Sequence, residues 1–231
     1  MQQVVERAFA TQPTDLIGVY GGATLTGKSM ATMRDGERLD DNILNSYYHL
    51  IEERSKLPGY PSIIRKDIYF YTFLSRRKAG WAPPISCEMF MFDYVFFPVG
   101  IESHWMLVYA CIKTRKLFYL DSLLSERRAN DVLGNLKAYM YNASVRLHGK
   151  DNAWVFNTEI VRNLPQQTNG IDCGIFTCQF AEHVARETNI TFTQRDIPQI
   201  RRNMVWELMT RCLLWRRTRI VYTDRQPPPR S

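Results

Sequence analysis

The chain has 231 residues, of which 45% are hydrophobic and 13% aromatic, a composition that buries one sizeable core and excludes a disordered polar segment. Its five cysteines are odd in number, widely spaced and without a C-x-x-C pair. This disfavours a disulfide framework or a structural zinc site and indicates free thiols in a reducing compartment. The formal charge of +7 is concentrated in residues 216–231, which hold five Arg and one Asp.

The two ends of the chain bear on where the protein works. The N-terminal stretch MQQVVERAFATQ carries Glu6 and Arg7 where a signal peptide needs an apolar run, and no stretch approaches the ~18 uninterrupted apolar residues of a membrane span. We therefore expect a soluble intracellular protein. The tail RRTRIVYTDRQPPPRS contains three consecutive prolines, which favour an extended chain over packing. An import signal, a nucleic-acid contact, a protein-docking strip and a solvated basic terminus all remain open for it.

Apolar periodicity predicts helices towards both ends of the chain and strands between them. The first long helix is LDDNILNSYYHLIEERSK, whose apolar residues recur at helical spacing behind the capping candidates Asp40 and Asp41. Short apolar runs then predict strands in the order DIYFYTFL, YVFFPVG, WMLVYACI, LFYLD and, after an amphipathic helix over 128–147, WVFNTEIVR. Two closing helices are predicted over CGIFTCQFAEHVARE and QRDIPQIRRNMVWELMTRCLL. Helices on either side of an antiparallel group indicate an α+β fold rather than a βαβ alternation.

One short motif points to nucleotide chemistry. Within GVYGGATLTGKSMATM, residues 22–29 complete the pattern G-x-x-x-x-G-K-[ST] of phosphate-binding loops. Such a loop needs a strand before it and a helix after it, but the helix available here is about one turn long. An acidic partner for Mg²⁺ is present at the end of an apolar run, at Asp93 or Asp121. The nucleotide hypothesis therefore depends on whether another group requires Asp121.

Two polar residues flank the predicted hairpin of WMLVYACI and LFYLD. His104 immediately precedes the first strand and Asp121 ends the second. A turn near residues 112–114 brings both to the same end of the sheet, offset by a few residues at ~3.3 Å each, so the carboxylate is placed to orient the imidazole. Each residue by itself is ordinary, because a histidine at a strand end is usually packed or exposed and an aspartate after a strand usually belongs to a turn.

Cys173 follows NGID and begins an apolar-periodic helix. The positive end of a helix dipole and a nearby imidazolium both lower a thiol pKa, and the thiolate is the nucleophile. Gly170 and Gly174 permit close backbone approach, the N–H of Cys173 is a donor for a developing oxyanion, and Gln167 supplies a neutral side-chain donor. The alternative is a small core side chain, the usual role of a cysteine followed by aromatic residues.

Four segments of the chain resemble one family. LPQQTNGIDCGIFTCQFAEHV resembles the nucleophile segment P-Q-Q-x-N-G-x-D-C-G-h-F-x-C of the SUMO-specific cysteine proteases, also called ubiquitin-like-specific or sentrin-specific proteases. HWMLVYACIKTRKLFYLDS is similar to their H-W-x-L-x-V block ending in Y-x-D-S, with the same interval between His and Asp. DGERLDDNILNSYYHLIEERS is similar to their W-L-N-D-E-x-I-N-F-Y helix, and NITFTQRDIPQIRRNMVWELMTRCLL to their closing helix. The resemblance runs from about Leu25 to Leu214.

The resemblance implies a papain-like cysteine protease fold, in which a mostly antiparallel central sheet is flanked by helices. It makes Cys173 the nucleophile, His104 the general base and then acid, Asp121 the residue that orients the imidazole, and Gln167 the oxyanion donor. These are the roles that the residues themselves indicate. It also implies three parts of the chain: a lead segment (1–24), a catalytic domain (25–215) and the basic Pro-rich tail (216–231).

The family's substrate is the Gly-Gly tail of a ubiquitin-like modifier, threaded through a narrow tunnel. Trp105 matches the aromatic residue that lies over the diglycine, where no Cβ fits beneath the ring. Asp41 matches the acid that pairs with a basic patch on the modifier, whereas Arg38 replaces the second tunnel-wall Trp of W-L-N-D. The segment APPISCEMFMFD is also shorter and less basic than its family counterpart. Both departures bear on modifier identity rather than on chemistry.

The resemblance therefore implies a thiol protease that matures SUMO precursors, removes SUMO from lysines of conjugated proteins, or both. No metal or organic cofactor is implied, no nucleic acid is required, and a monomer in the nucleus or at the nuclear envelope is expected. Two alternatives stay open: a protease for ubiquitin or another ubiquitin-like modifier, suggested by Arg38, and an inactive modifier-binding module. Residues 27–29 match a loop and its cap in this family, and His104 requires Asp121, which together disfavour the nucleotide hypothesis.

Overall fold

A computed structural model describes residues 1–76 and 87–214. The helices are α1 (Gln2–Ala10), α2 (Gly27–Ala31), α3 (Asp41–Ser55), α4 (Phe70–Ser75), α5 (Glu126–His148), α6 (Cys173–Arg186) and α7 (Ile197–Thr210). The strands are β1 (Leu16–Tyr20), β2 (Ala23–Thr26), β3 (Ile63–Arg65), β4 (Tyr94–Ile101), β5 (His104–Cys111), β6 (Lys116–Leu120) and β7 (Asn157–Ile160). Short 3₁₀ turns cover Cys87–Met91, Lys150–Asn152 and Gln194–Asp196.

The main sheet has five strands in the order β3-β4-β5-β6-β7. Its three central strands are antiparallel, and each outer strand runs parallel to its neighbour. The predicted hairpin is confirmed: β5 and β6 pair from Leu107 opposite Leu120 to Cys111 opposite Lys116, with Arg115 in the left-handed region of the turn. The α+β fold is confirmed, and β1 and β2 form a separate antiparallel hairpin.

The sheet separates two apolar cores because alternate residues of a strand point to opposite faces. On β4, Phe96 packs into the core beneath α3, α6 and α7, whereas Val95 and Phe97 pack into the core beneath α4 and α5. On β5, Leu107 and Val108 divide in the same way. The sheet is therefore the middle layer of three, and its β4-β5-β6 segment is the rigid support for anything held at its edge.

The long helix α3 begins where the sequence predicted. The Asp40 side chain accepts a hydrogen bond from the N–H of Ile43 at 2.9 Å, which satisfies one of the donors left free at a helix N-terminus. Its buried face includes Ile43, Leu44 and Tyr47. This helix packs on α6, so a cap set by local sequence fixes the position of one wall of the site.

One predicted strand is wrong. DIYFYTFL forms the short helix α4, whose Tyr71 and Leu74 point into the core three residues apart. The ring of Phe70 packs against the rings of Phe97 and Tyr139. A run rich in aromatic residues has the composition of a strand, and tertiary packing on α5 and β4 decided for a helix. The parallel edge strand comes instead from three earlier residues, Ile63–Arg65.

The N-terminal residues contribute to the same core as the rest of the chain. Helix α1, which the sequence analysis did not predict, places Val5 and Ala8 in the core with α7. The proposed boundaries at residues 24 and 215 stay predictions. The tail 216–231 and residues 82–86 of APPISCEMFMFD lie outside the described residues. Over 1–76 and 87–214, no helix has the length and apolar character needed to cross a membrane.

Candidate active site

The β4-β5 turn delivers His104 to the edge of the sheet. Ile101 pairs with His104, which leaves Glu102 and Ser103 as a two-residue turn with φ of 50° and 63°. Two consecutive positive φ values match the twist of adjacent strands but strain residues that carry a Cβ. His104 is therefore the first residue of β5. The pairing of β5 with its neighbouring strands holds it on one side, and the strained turn holds it on the other.

Asp121 follows the last residue of β6 and is joined to His104 as predicted. His104 Nε2 and Asp121 Oδ1 are 2.6 Å apart, and the N–H of Leu123 donates to the same oxygen at 2.8 Å. The other carboxylate oxygen accepts from the hydroxyl of Tyr119 at 2.8 Å and from Arg128 Nη1 at 3.2 Å. Asp121 is buried and both of its oxygens are occupied, so its carboxylate has one orientation.

Cys173 is the first residue of α6 and is buried, as are nearly all residues of this helix. Its ionisation is favoured by the imidazole of His104 and by the backbone N–H of Trp105. Since Nε2 of His104 is taken by Asp121, Nδ1 is the ring nitrogen left for the thiol. The structure thus brings His104, Asp121 and Cys173 together in the order carboxylate, imidazole and sulfur.

The electrostatics of these three groups favour an ion pair. Burial lowers the pKa of His104, but its hydrogen bonds to Asp121 and Cys173 outweigh burial and raise the pKa from 6.5 to about 9. Burial raises the pKa of Cys173, but the hydrogen bond and charge of His104, with the Trp105 N–H and the charge of Arg38, lower it below its usual 9.0. Asp121 stays ionised because its hydrogen bonds with His104, Leu123 and Tyr119 overcome its burial and lower its pKa. The imidazolium is the main charge that stabilises the thiolate, whereas Asp121 is the main charge that stabilises the imidazolium.

Gln167 is positioned beside these three groups by a residue that sequence reasoning missed. The Ser122 hydroxyl donates to Gln167 Oε1 at 2.6 Å, and the Gln167 N–H donates to the Ser122 carbonyl at 3.1 Å. Gln167 Nε2 donates one hydrogen to the Asn169 carbonyl at 2.5 Å. Because the amide oxygen is already bound to Ser122, the amide orientation is fixed and its second N–H is available for an oxyanion.

The three predicted substrate-binding residues, Arg38, Asp41 and Trp105, line a groove of about 290 Å³ that ends at His104. The Trp105 ring lies across Gly100 on β4, where an added Cβ would come within 2.8 Å of the ring. A larger residue at position 100 would force the ring to move, so a glycine is required at this close approach.

Two charged side chains set the walls of the groove. Arg38 is exposed and spans the site: it donates to the carbonyl of Ser103 at 2.6 Å and to that of Gly170 at 2.7 Å. Asp41 accepts from the hydroxyl of Tyr69 at 2.5 Å, and this bond is the main reason why the pKa of Tyr69 rises to about 12. Arg38 therefore links the turn before His104 to the loop before Cys173.

The phosphate-loop motif is used for packing. The N–H groups of Gly27 and Lys28, which such a loop would direct at a phosphate, donate at 3.0 Å to the carbonyls of Asp15 and Pro13. A Cβ on Gly27 would lie 2.0 Å from the carbonyl oxygen of Gln12, which explains the glycine. Ser29 is buried, and residues 27–29 belong to the five-residue helix α2 capped by Thr26, not to a loop. Over the described residues, no group of three or more His, Cys, Asp or Glu side chains could hold a metal ion.

A carboxylate, an imidazole and a thiol linked in this order, with an amide donor beside them, define the site of a cysteine peptidase. Comparison with known proteins gives the same class. Residues 37–214 match the model of the Ulp1 protease family, C-terminal catalytic domain. Because this match covers most of the chain, the chain belongs to the Ulp1 protease family.

Individual relatives agree with the family assignment. Sentrin-specific protease 2 of Mus musculus is 30% identical over 225 residues, which are 93% of this chain and 37% of that protein. A sentrin-specific protease of Caenorhabditis elegans is 34% identical over 220 residues, 91% of this chain and 31% of that protein. The chain thus spans about a third of the length of these relatives.

Solved structures show the same fold. The C-terminal Ulp1 protease domain in complex with Smt3, the yeast ortholog of SUMO, superposes with a TM-score of 0.73 at 23% identity, covering 90% of this chain and 93% of that one. The catalytic domain of a Ulp1-like SUMO protease from Chaetomium thermophilum gives a TM-score of 0.74 at 21% identity, covering 91% and 88%. The papain-like fold expected from the sequence is confirmed.

Proposed function

We propose that this chain is a thiol protease that cleaves after the C-terminal Gly-Gly of SUMO, maturing SUMO precursors and releasing SUMO from lysines of conjugated proteins. The observation that carries the proposal is the arrangement of Asp121, His104 and Cys173 in the order carboxylate, imidazole and sulfur, present in a member of the Ulp1 protease family. The yeast Ulp1 domain, which shares the fold, is bound to a SUMO ortholog in its solved structure, and this supports SUMO as the modifier.

The geometry assigns each step of hydrolysis to a residue. The Cys173 thiolate attacks the carbonyl carbon of the terminal glycine, and the carbonyl π electrons move onto oxygen to give a tetrahedral oxyanion. The free N–H of Gln167 and the backbone N–H of Cys173 are the donors for that oxyanion. When the C–N bond breaks, imidazolium His104 gives its proton to the departing amine, which leaves a thioester and neutral imidazole.

Deacylation reverses the role of His104. The neutral imidazole takes a proton from water as the water oxygen attacks the thioester carbon. The C–S bond then breaks to restore the thiolate, and the carboxylic acid that is released loses its remaining proton to solvent. Asp121 keeps Nε2 in its hydrogen bond throughout, which holds Nδ1 towards the sulfur and stabilises the imidazolium between the two steps. The same chemistry cleaves a peptide bond in a precursor and an isopeptide bond in a conjugate.

The groove selects a thin, extended tail. Arg38, Trp105 and His104 line the same groove, which suits tail residues without side chains. Cys173 has no exposed surface in the structure, so a substrate carbonyl reaches the sulfur only after a neighbouring side chain moves. Asp41 lies at the groove wall and offers a negative charge to a basic patch on the modifier.

The remaining parts of the proposal concern the oligomeric state of the protein, its partners and its location in the cell. We propose a monomer that acts in the nucleus or at the nuclear envelope and requires no nucleic acid. The basic tail is the feature that supports a nuclear address. Imaging of the tagged chain with and without residues 216–231 tests this, and equal distribution of the two forms would remove the tail as the reason for nuclear localisation.

The test of function uses modifiers with an electrophilic C-terminus. SUMO and ubiquitin carrying such a group are incubated with the wild type and with Cys173→Ala, and adducts are scored by intact mass. An adduct with SUMO that requires Cys173 and does not form with ubiquitin is expected. An adduct with ubiquitin alone would replace SUMO by ubiquitin in the proposal, and no adduct with either would favour the inactive binding module.

A further inference from the structure

A buried ion pair joins helix α7 to the residue immediately before the nucleophile. Arg201 Nη2 and Asp172 Oδ1 are 2.6 Å apart, with side-chain exposures of only 2% and 6%. Asp172 is also the N-cap residue of α6, although its side chain makes no capping hydrogen bond. The carboxylate that a helix N-terminus would ordinarily attract is instead directed away, to a guanidinium on another helix.

Arg201 also holds the loop that leads to the groove. Its Nη1 donates to the carbonyls of Thr32 at 3.2 Å and Arg34 at 3.0 Å, and its Nη2 donates to that of Glu37 at 2.7 Å. The next residue, Arg38, spans the site to the Gly170 carbonyl. One buried guanidinium therefore fixes the position of the groove wall relative to the residue before Cys173.

The second oxygen of Asp172 organises the turn that carries the oxyanion donors. Oδ2 accepts from Asn169 Nδ2 at 2.7 Å and from Gln194 Nε2 at 2.8 Å. Asn169 Oδ1 accepts in turn from the N–H groups of Ile171 and Asp172, and its carbonyl accepts from Gln167. Displacement of the Asp172 carboxylate would therefore disturb the turn from Gln167 to Cys173 as a unit.

The charge of Asp172 gives the pair a second consequence. A carboxylate one residue from a buried thiolate opposes ionisation of the thiol unless a positive charge neutralises it, because like charges in a low-dielectric interior repel strongly. Arg201 is buried with Asp172 and hydrogen-bonds it directly, so it cancels that charge at the nucleophile.

We propose that Arg201 is a positioning residue for the nucleophile: through Asp172 it fixes the turn from Gln167 to Cys173 and removes a carboxylate charge that would oppose the Cys173 thiolate. The inference rests on Cys173 as the proposed nucleophile but not on the identity of the modifier. Arg201 touches no reacting atom, and its effect on Cys173 passes through Asp172.

The chain contains a matched control for the loss of a buried ion pair. Arg54 and Glu182 join α3 to α6 at 2.6 Å, with side-chain exposures of 7% and 1%, in the core behind the site. Removal of either arginine takes a cationic partner from a buried carboxylate and should destabilise the fold, although Glu182 keeps Arg186 at 2.8 Å whereas Asp172 keeps only neutral partners. The two changes differ in whether the carboxylate adjoins Cys173.

The test compares Arg201→Gln with Arg54→Gln in the full chain. The first measurement is the thiolate ultraviolet absorbance of each variant as a function of pH, with the same variant carrying Cys173→Ala as the baseline. The second is the rate of release of a fluorogenic leaving group from SUMO. We expect both variants to melt at lower temperature than the wild type. Only Arg201→Gln should shift the thiol titration upward by about one pH unit, which corresponds to tenfold less thiolate, and slow turnover about tenfold.

A second substitution separates the effect of the unpaired Asp172 charge from the effect of the Arg201 substitution on folding. Adding Asp172→Asn to Arg201→Gln removes the unpaired carboxylate and should restore at least half of the titration shift. Coincident titrations of Arg201→Gln and Arg54→Gln would overturn the inference, as would a double variant that titrates like Arg201→Gln.

If Arg201→Gln does not fold, Asp172→Asn alone leaves the Arg201 charge unpaired and should shift the thiol titration downward; an upward shift would contradict the proposal. A wild type that does not cleave SUMO refutes the substrate without affecting the titrations.

Discussion

The catalytic chain and the groove beside it are built in opposite ways. Asp121 and Cys173 are buried, and Asp121 alone receives four hydrogen bonds from His104, Leu123, Tyr119 and Arg128. The groove is lined by the exposed Arg38 and the partly exposed Trp105, and Arg38 is held by two contacts to backbone carbonyls. One region has a single arrangement enforced by packing, whereas the other depends on a few exposed contacts.

This difference separates the residues that carry out the reaction from the residues that select the substrate. Buried groups with several partners keep their geometry when one neighbour changes, and their charges act in a low dielectric. Exposed side chains are screened by solvent and are free to move, so they tune affinity more than rate. We therefore expect substitutions in the catalytic chain to lower kcat and substitutions in the groove to change KM.

The largest effect is expected from Cys173→Ala. Turnover should be abolished, by on the order of 10⁶-fold as for loss of a serine nucleophile, while modifier binding changes less than twofold because the groove is untouched. Hydrolysis of a fluorogenic SUMO substrate and calorimetric titration with SUMO measure the two quantities. Cys87→Ala is the control, since Cys87 lies in a 3₁₀ turn apart from the site. Residual cleavage of conjugates by Cys173→Ala would mean that the nucleophile is another residue.

Asp121→Asn should follow, with a loss in kcat of roughly 10³–10⁴-fold, since an amide favours the wrong imidazole tautomer. The melting temperature should also fall, because Tyr119 and Leu123 bind different oxygens of Asp121 and the amide keeps only one of them. Asp93→Asn is the control: Asp93 also accepts two hydrogen bonds at 2.8 Å, both from Ser62, but far from His104 along the hairpin. Full activity in Asp121→Asn would show that another group orients His104.

The pH dependence tests the ion pair. Since the pKa of His104 is raised to about 9, the imidazolium persists up to that pH, and kcat/KM should fall about tenfold per unit above it. A raised pKa also means that His104 stabilises the fold below pH 6.5, a contribution lost as pH rises through about 9. Because Asp121 raises this pKa, residual activity of Asp121→Asn should decline at lower pH. If kcat/KM of Asp121→Asn falls at the same alkaline pH as that of the wild type, Asp121 does not raise the pKa of His104.

Arg38→Trp tests the groove. An aromatic wall facing Trp105 should hold the diglycine more tightly and lower KM several-fold, while kcat changes little because the catalytic chain is intact. Glu37→Trp places the same ring one residue earlier, outside the groove lining, and should leave KM unchanged. If Arg38→Trp has the KM of the wild type, this wall does not contact the tail.

The smallest effect is expected for nucleotide. Millimolar Mg-ATP should leave the melting temperature unchanged, because the N–H groups of Gly27 and Lys28 are already bound to backbone carbonyls. A ligand present at 100 times its Kd would add about 2.7 kcal/mol to stability, which calorimetry would detect. Clear stabilisation would reopen the nucleotide hypothesis.

The placement of the proposed catalytic residues was predictable because their signals are local or nearly so. Cys173 is marked by the helix that it begins, and the hairpin turn at residues 112–115 brings His104 and Asp121 together by register alone. The helix α4 was not predictable from its composition, because aromatic residues suit a strand equally well and packing on Phe97 and Tyr139 made the choice.

The supporting residues left no local signal. Ser122 orients Gln167 from 45 residues away, and Arg128 reaches Asp121 from the first turn of α5. Arg201 looks like any charged residue of an amphipathic helix until the fold buries it against Asp172. Their roles depend on pairs that the chain brings together only when it is folded.

The sequence by itself determined the class of enzyme and the placement of the proposed nucleophile, imidazole, carboxylate and amide donor, because helix and hairpin geometry already constrain these positions. The tertiary structure alone decided that the phosphate-loop motif is used for packing, that Arg38 spans the site, and that Arg201 neutralises Asp172. The physical reason is the separation along the chain of the residues that interact. Caps, helical period and strand register act between near neighbours, whereas burial and charge pairing arise between segments that meet only in the folded chain.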